Sequence, residues 1–143
     1  MTRIDFYFNV ADKQKVISDL VQSALTKRRQ VTILTADEHV AADVSANLWQ
    51  NEPESFLPNV HSNHLYAFKT PVVIGSQASD TMQDDMLINL TSSEPGFFSR
   101  FTQLVELVGD AEQDKIAARA RFKFYRDRGY EIKSIDHTQI RIE

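Results

Sequence analysis

Apolar and polar positions along this chain switch between two periods, and the switches mark out its elements. Over residues 3–10 (RIDFYFNV) they alternate and then close on aromatics, the pattern of a strand. Over residues 13–28 the period lengthens, placing Val16, Leu20, Val21, Ala24 and Leu25 on one side of a helix. Lys27, Arg28 and Arg29 follow, where cations suit the negative end of the helix dipole better than they suit a bound anion. Residues 30–36 (QVTILTA) are a short apolar run, expected of a strand covered on both faces. Thr35-Ala36-Asp37-Glu38 matches a capping box that opens a second helix through Val40, Val44, Leu48 and Trp49. Strand, helix, strand, helix predicts parallel pairing through right-handed crossovers.

Periodicity is then lost over residues 50–63, a loop with two of the four prolines and with Phe56 and Leu57 as its large apolar anchors. Residues 65–68 and 71–75 read as short strand pieces, 76–85 as a polar loop and 86–90 (MLINL) as a buried strand. Pro95 and Gly96 precede a predicted helix over 97–108, and Gly109 separates it from another over 110–128. Residues 130–135 and 139–142 predict a closing hairpin or edge strands. The expected fold class is α/β: one three-layer domain over residues 1–143, with a mainly parallel mixed sheet flanked by helices.

The helix at 110–128 is unusual in its charge. Ile116, Ala120 and Phe124 recur every four residues beside Ala117 and form one apolar stripe for packing. Lys115, Arg119, Phe122, Lys123 and Arg126 form a second face of cations around an aromatic ring. Gly129 ends the helix, in a position suited to the left-handed cap. Lys115, Arg119, Arg121, Lys123, Arg126 and Arg128 outnumber Asp110, Glu112, Asp114 and Asp127. From the helix alone, a site for an anion and an ordinary solvated face are equally good readings.

Composition narrows the classes. A chain of 143 residues with 42% apolar and 25% charged residues has the makeup of an ordinary globular protein with a sizeable core. A net charge of -4 argues against wholesale coating of nucleic acid. The absence of cysteine excludes disulfides and thiolate metal sites and fits a cytoplasmic setting. No signal peptide and no membrane span are expected, since no run of about 18 apolar residues occurs. The first strand-to-helix turn, residues 9–13, has no glycine, and Gly75, Gly96, Gly109 and Gly129 are scattered singly. The pattern is therefore Rossmann-like without a phosphate-binding glycine loop, and no cofactor is expected. His39, His61, His64 and His137 show no metal-ligand spacing, no G-x-S-x-G elbow is present, and Asp37-Glu38 and Asp84-Asp85 read as surface charge. Neither metal nor catalytic residues are expected.

Three stretches together carry a resemblance: LWQNEPESFLP at 48–58, ARARFKFYR at 118–126 followed by Gly129-Tyr130, and the opening Phe6-Tyr7-Phe8. The combination resembles the chi subunit of bacterial DNA polymerase III, over essentially the full length. The resemblance implies a non-catalytic DNA replication accessory subunit of the clamp-loader assembly. It implies two partners, the psi subunit and the acidic C-terminal tail of single-stranded-DNA-binding protein, which ends in proline and phenylalanine with a free carboxylate. Nucleic acid would then be contacted only indirectly, and no membrane would be involved. The tail site would fall on Trp49, Phe56, Pro58, Val108, Lys115, Arg119, Phe122 and Lys123. Such a tail needs an apolar pocket rimmed by a forked cation, a role suited to Arg119, with Lys115 and Lys123 attracting acids upstream. Two positions depart from the family pattern: Pro53 sits one place off, and Phe122 stands where tyrosine is also familiar and brings no hydroxyl. From the residues alone, Trp49 and Phe56 read as core residues pinning the loop and Arg119 as a cap or ion-pair partner. Two other functions compete. One is direct binding of single-stranded nucleic acid, with Phe122, Phe124 and Tyr125 stacking on bases; the other is nucleotide or phosphate chemistry, suggested by fold analogy alone.

Overall fold

The computed structural model describes residues 2–51, 59–61, 72–75, 84–91 and 95–136. Among them one sheet contains seven strands: β1 Arg3–Phe8, β2 Val31–Leu34, β3 Asn59–His61, β4 Val72–Gly75, β5 Met86–Asn89, β6 Gln103–Leu107 and β7 Ile132–Asp136. Three α-helices connect them, α1 Lys13–Thr26, α2 Glu38–Asn51 and α3 Glu112–Asp127. The strand order is β3-β4-β2-β5-β6-β1-β7, and every pairing is parallel, so the sheet carries no antiparallel member among the described residues. β1 and β2 are joined by α1 yet are not neighbours, because β5 and β6 lie between them.

Helices cover both faces, which is why the strands read as continuous apolar runs. On one face Val16, Ile17, Val21 and Ala24 of α1 and Ala41 and Val44 of α2 pack on Val31, Ile33, Ile74, Ile88, Val105 and Leu107. On the other, Ala118 and Tyr125 of α3 and the turn bearing Phe98 and Phe101 pack on Ile4, Phe6, Leu87, Leu104 and Val108. Each fully buried Ile, Leu or Val contributes roughly 1.5–3 kcal/mol. The ends of α1 are set locally. Asp12 accepts from the Gln14 and Lys15 N–H groups at 3.1 and 3.3 Å, and Arg28 turns the chain away at φ 59°.

Several expectations need correction. Residues 97–108 are not a helix: a single 3-10 turn, Phe98–Arg100, leads into β6. The apolar spacing fits either period. What decides is that the polar members Gln103 and Glu106 are buried and bonded, so the whole strand is covered. The second helix is capped by Asp37 and not Thr35, with the Asp37 carboxylate accepting from the Val40 N–H at 2.9 Å. On α3 the inward face is Ala118, Arg121 and Tyr125, whereas Ile116, at the head of the expected stripe, is 57% exposed. Of the loop expected over 50–63, residues 50–51 belong to α2 and 59–61 to β3, the rest lying outside the described residues. The strand pieces expected at 65–68 and 139–142 also lie outside them.

Candidate functional site

The chain leaves β1 through α1 on one face of the sheet and leaves the adjacent β6 through α3 on the other. Neighbouring strands whose exits diverge leave a crevice at their carboxyl ends, where α/β folds bind ligands. Here a cavity of about 420 Å³ opens at that point, lined by Phe6, Phe8, Asn9, Val108, Gly109, Lys115, Ala118, Arg119, Phe122 and Ser134. Its size falls within the range of about 300–1,000 Å³ common for ligand pockets.

Alternation along β1 sends Phe6 and Phe8 to the α3 face, and Val108 just past β6 shares that face. Phe122 meets Phe6 edge-on with ring centroids 5.4 Å apart, so the aromatic wall is fixed by packing. The polar mouth is built differently. Asn9, at φ 59°, reaches the Asp136 carboxylate with its amide at 3.2 Å and ties the end of β1 to β7. The Asp114 carboxylate accepts from the Gly109 N–H at 2.6 Å and pairs with Lys13 at 2.8 Å. A Cβ on residue 109 would stand 3.1 Å from that Asp114 oxygen, so glycine permits the close approach. Burial raises the Asp114 carboxyl, but the Lys13 and Gly109 bonds outweigh it and the net shift is downward. With Asp114 satisfied, Lys115 and Arg119 face the cavity without an ion-pair partner among the described residues. An apolar chamber with two free cations at its mouth suits an apolar group attached to an anion.

Of the expected site residues, Val108, Lys115, Arg119 and Phe122 are brought together here, and Lys123 is exposed outside the lining. Trp49 lies in the last turn of α2, and that helix packs against α1, β3 and β4 on the opposite face; its side chain is outside the description. Phe56 and Pro58 also lie outside the described residues. Phe6, Phe8, Asn9 and Ser134 are lining residues that sequence reasoning did not assign. The signal was available in the alternation of Phe6 and Phe8 at the carboxyl end of the first strand.

Beneath the cavity α3 is anchored by a buried polar cluster. Glu106, 0% exposed, accepts from Arg121 Nε at 3.0 Å, the Tyr125 hydroxyl at 2.7 Å and the Asn89 amide at 3.0 Å. Burial pushes the Glu106 carboxyl up, while Arg121 and the Asn89 and Tyr125 bonds pull it down without reversing the shift. Tyr125 is fully buried, and Phe124 lies under the Arg128 guanidinium at 3.6 Å, so neither ring is placed to stack on a base. Among the described residues no His, Asp and Glu group could hold a metal, and no helix is long and apolar enough to cross a membrane.

Residues 1–133 match the family model for the DNA polymerase III chi subunit, HolC. The chain belongs to the DNA polymerase III chi subunit family. A DNA polymerase III subunit chi from Pseudomonas aeruginosa is 34% identical over 146 aligned residues, covering 99% of this chain and 100% of that protein. Subunits chi from Haemophilus influenzae and Escherichia coli are 29% and 27% identical over 122 residues, 85% of this chain in both cases and 85% and 83% of theirs. Membership makes the chain a non-catalytic accessory subunit in DNA replication, associated with components of the polymerase III holoenzyme. The glycine-free first turn, with Lys13 held by Asp114, accords with a chi-family fold that keeps the crevice but not a phosphate loop.

Proposed function

We propose that this chi-family chain is an adaptor that captures the acidic C-terminal tail of single-stranded-DNA-binding protein and links it, through the psi subunit, to the clamp loader. The observation that carries the tail reading is the cavity itself: Phe6, Phe8, Val108 and Phe122 wall an apolar chamber, with Lys115 and Arg119, which have no ion-pair partner among the described residues, at its mouth. A terminal phenylalanine would fill the chamber. Its carboxylate would meet the Arg119 fork, and Lys115 and Lys123 would draw in the acids upstream. The psi link rests on the family resemblance, and no residues are assigned to it.

The test compares an acidic peptide ending in Pro-Phe-COO⁻ with its C-terminal amide by calorimetry. A hydrogen bond to a charged group is worth about 1.5–3 kcal/mol, so the amide should bind at least about tenfold more weakly. Equal affinities would remove the carboxylate, and with it this assignment of Arg119.

A further inference from the structure

On the sheet side of the cavity, the Asn9 side chain has one end fixed and the other free. Asn9 sits at φ 59°, a left-handed conformation that costs most side chains energy and that asparagine tolerates better than the rest. Its Nδ2 donates to Asp136 Oδ1 at 3.2 Å. An ionised carboxylate only accepts, so this bond settles which end of the amide meets β7. The planar amide then turns Oδ1 away from Asp136, and nothing among the described residues donates to it. Asn9 and Ser134, both uncharged, line the cavity from the sheet, whereas Lys115 and Arg119 line it from α3.

The cavity therefore offers an apolar chamber, cations on one side and an oriented acceptor on the other. The last residue of a peptide carries three groups that match them, its side chain, its carboxylate and its backbone N–H, diverging from one Cα. The acceptor also sets polarity. A carboxylate laid against Asn9 Oδ1 would meet a lone pair and no donor, so the carboxylate belongs on the α3 side and the N–H on the sheet side. We infer that Asn9 Oδ1 accepts the backbone N–H of the ligand's terminal residue, which makes Asn9 a specificity-determining residue of the tail site. The inference rests on the tail-binding reading and adds to it the contact that fixes the direction of the bound chain. A penultimate proline leaves this N–H in place, because the group belongs to the last residue; a terminal proline removes it.

The test is calorimetry of the full chain with two ligands: an acidic peptide ending in Pro-Phe-COO⁻, and its depsipeptide, in which an ester oxygen replaces the last N–H while ring and carboxylate are unchanged. The depsipeptide should bind about three- to tenfold more weakly, the loss of one uncharged hydrogen bond. Glycine adopts a φ of 59° without strain, so Asn9→Gly removes the acceptor and keeps the turn. That variant, checked for an intact melting transition, should bind both ligands alike at the weaker level. Asp136→Asn, whose amide no longer dictates the orientation of Asn9, should narrow the preference for the peptide. No binding of the Pro-Phe peptide to the unmodified chain would overturn the tail reading and this inference together. Equal affinities of the unmodified chain for peptide and depsipeptide would overturn the Asn9 assignment alone, and that comparison needs no variant to fold. An ester penalty as large in Asn9→Gly as in the unmodified chain would also overturn it, because the N–H would then have another acceptor.

Discussion

Arg121 offers the sharpest test of how α3 is mounted. By sequence it is one more cation on a basic helix; in the fold its side chain is 2% exposed and donates from Nε to Glu106, itself 0% exposed, at 3.0 Å. Arg121→Ala leaves the Glu106 charge buried with the Tyr125 and Asn89 bonds but no cation. Removing one partner of a buried pair typically costs about 3–5 kcal/mol. Unfolding entropy near 60 °C is about 2.1 cal/mol/K per residue, or about 0.3 kcal/mol/K for a chain of 143 residues. The melting temperature should therefore fall by about 10–17 °C. Arg119→Ala, two residues away on the exposed side, should leave it unchanged within error. Adding Glu106→Gln to Arg121→Met should recover more than half of the loss, since a neutral amide no longer needs the cation and still bonds Tyr125 and Asn89. Differential scanning calorimetry of the four proteins decides the matter. An Arg121→Ala variant melting within about 3 °C of the parent would refute the buried-pair account, because that corresponds to only about 1 kcal/mol.

In tail binding, Arg119→Ala should cost about 1.5–3 kcal/mol, mainly through faster dissociation, and Lys123→Ala only about 0.2–1 kcal/mol with a flatter salt dependence. Surface plasmon resonance at two salt concentrations would show equal losses if the mouth geometry is wrong. Asp114 has a lowered folded pKa, so its contribution to stability is present above its ordinary value of 3.8 and is lost as pH falls through the folded value. Asp114→Asn should consequently lower the melting temperature at pH 7, and the gap from the parent should shrink in melts below about pH 4; a constant gap would contradict the Lys13 and Gly109 account. Gly129 lies at φ 82° with open space around its Cα, so Gly129→Ala meets strain and no clash. It should cost about 1–2 kcal/mol, read as a melting shift of about 3–7 °C.

Local periodicity made β1, α1, β2 and α2 legible, because each buries a face that follows a single period. It also marked β4, β5 and the extent of α3, whose end is fixed by Gly129 in the left-handed region. Strand order was not legible. Which strands sit between β1 and β2 depends on contacts between residues 55 and 100 apart, and no local spacing carries that information. Residues 97–108 misled because Phe98, Phe101, Leu104, Val105 and Val108 fit helical spacing as well as an inward-facing turn and strand. The inward face of α3 was hidden by its own chemistry. A pattern search assigns arginine to solvent, and only the buried carboxylate of Glu106, fifteen residues earlier, makes Arg121 a core residue. The cationic mouth was legible at Lys115 and Arg119 beside Phe122, and the alternation of Phe6 and Phe8 was there to be read, but their meeting with Asn9 and Ser134 was not, because these residues come from strands far from α3 in sequence or from another element.

The residues at the first turn explain how one crevice can serve different chemistry. In nucleotide-binding relatives of this architecture, a glycine turn after the first strand brings backbone N–H groups to a phosphate. Here the corresponding turn carries Asp12 and Lys13 instead; Asp12 is consumed in capping α1 and Lys13 in holding Asp114. The Gly109 N–H across the crevice is taken by the same Asp114 carboxylate. An internal anion thus occupies the donors nearest the first turn, and the positive charge with no ion pair among the described residues lies one to two turns along α3, at Lys115 and Arg119. On the proposed tail-binding reading, that placement puts the anion-binding point away from the strand ends and beside the space walled by Phe6, Phe8 and Phe122. A site whose cations sit beside an apolar chamber discriminates by what is attached to the anion. A bare phosphate would leave the chamber empty, whereas a chain terminus with a large apolar side chain fills both halves.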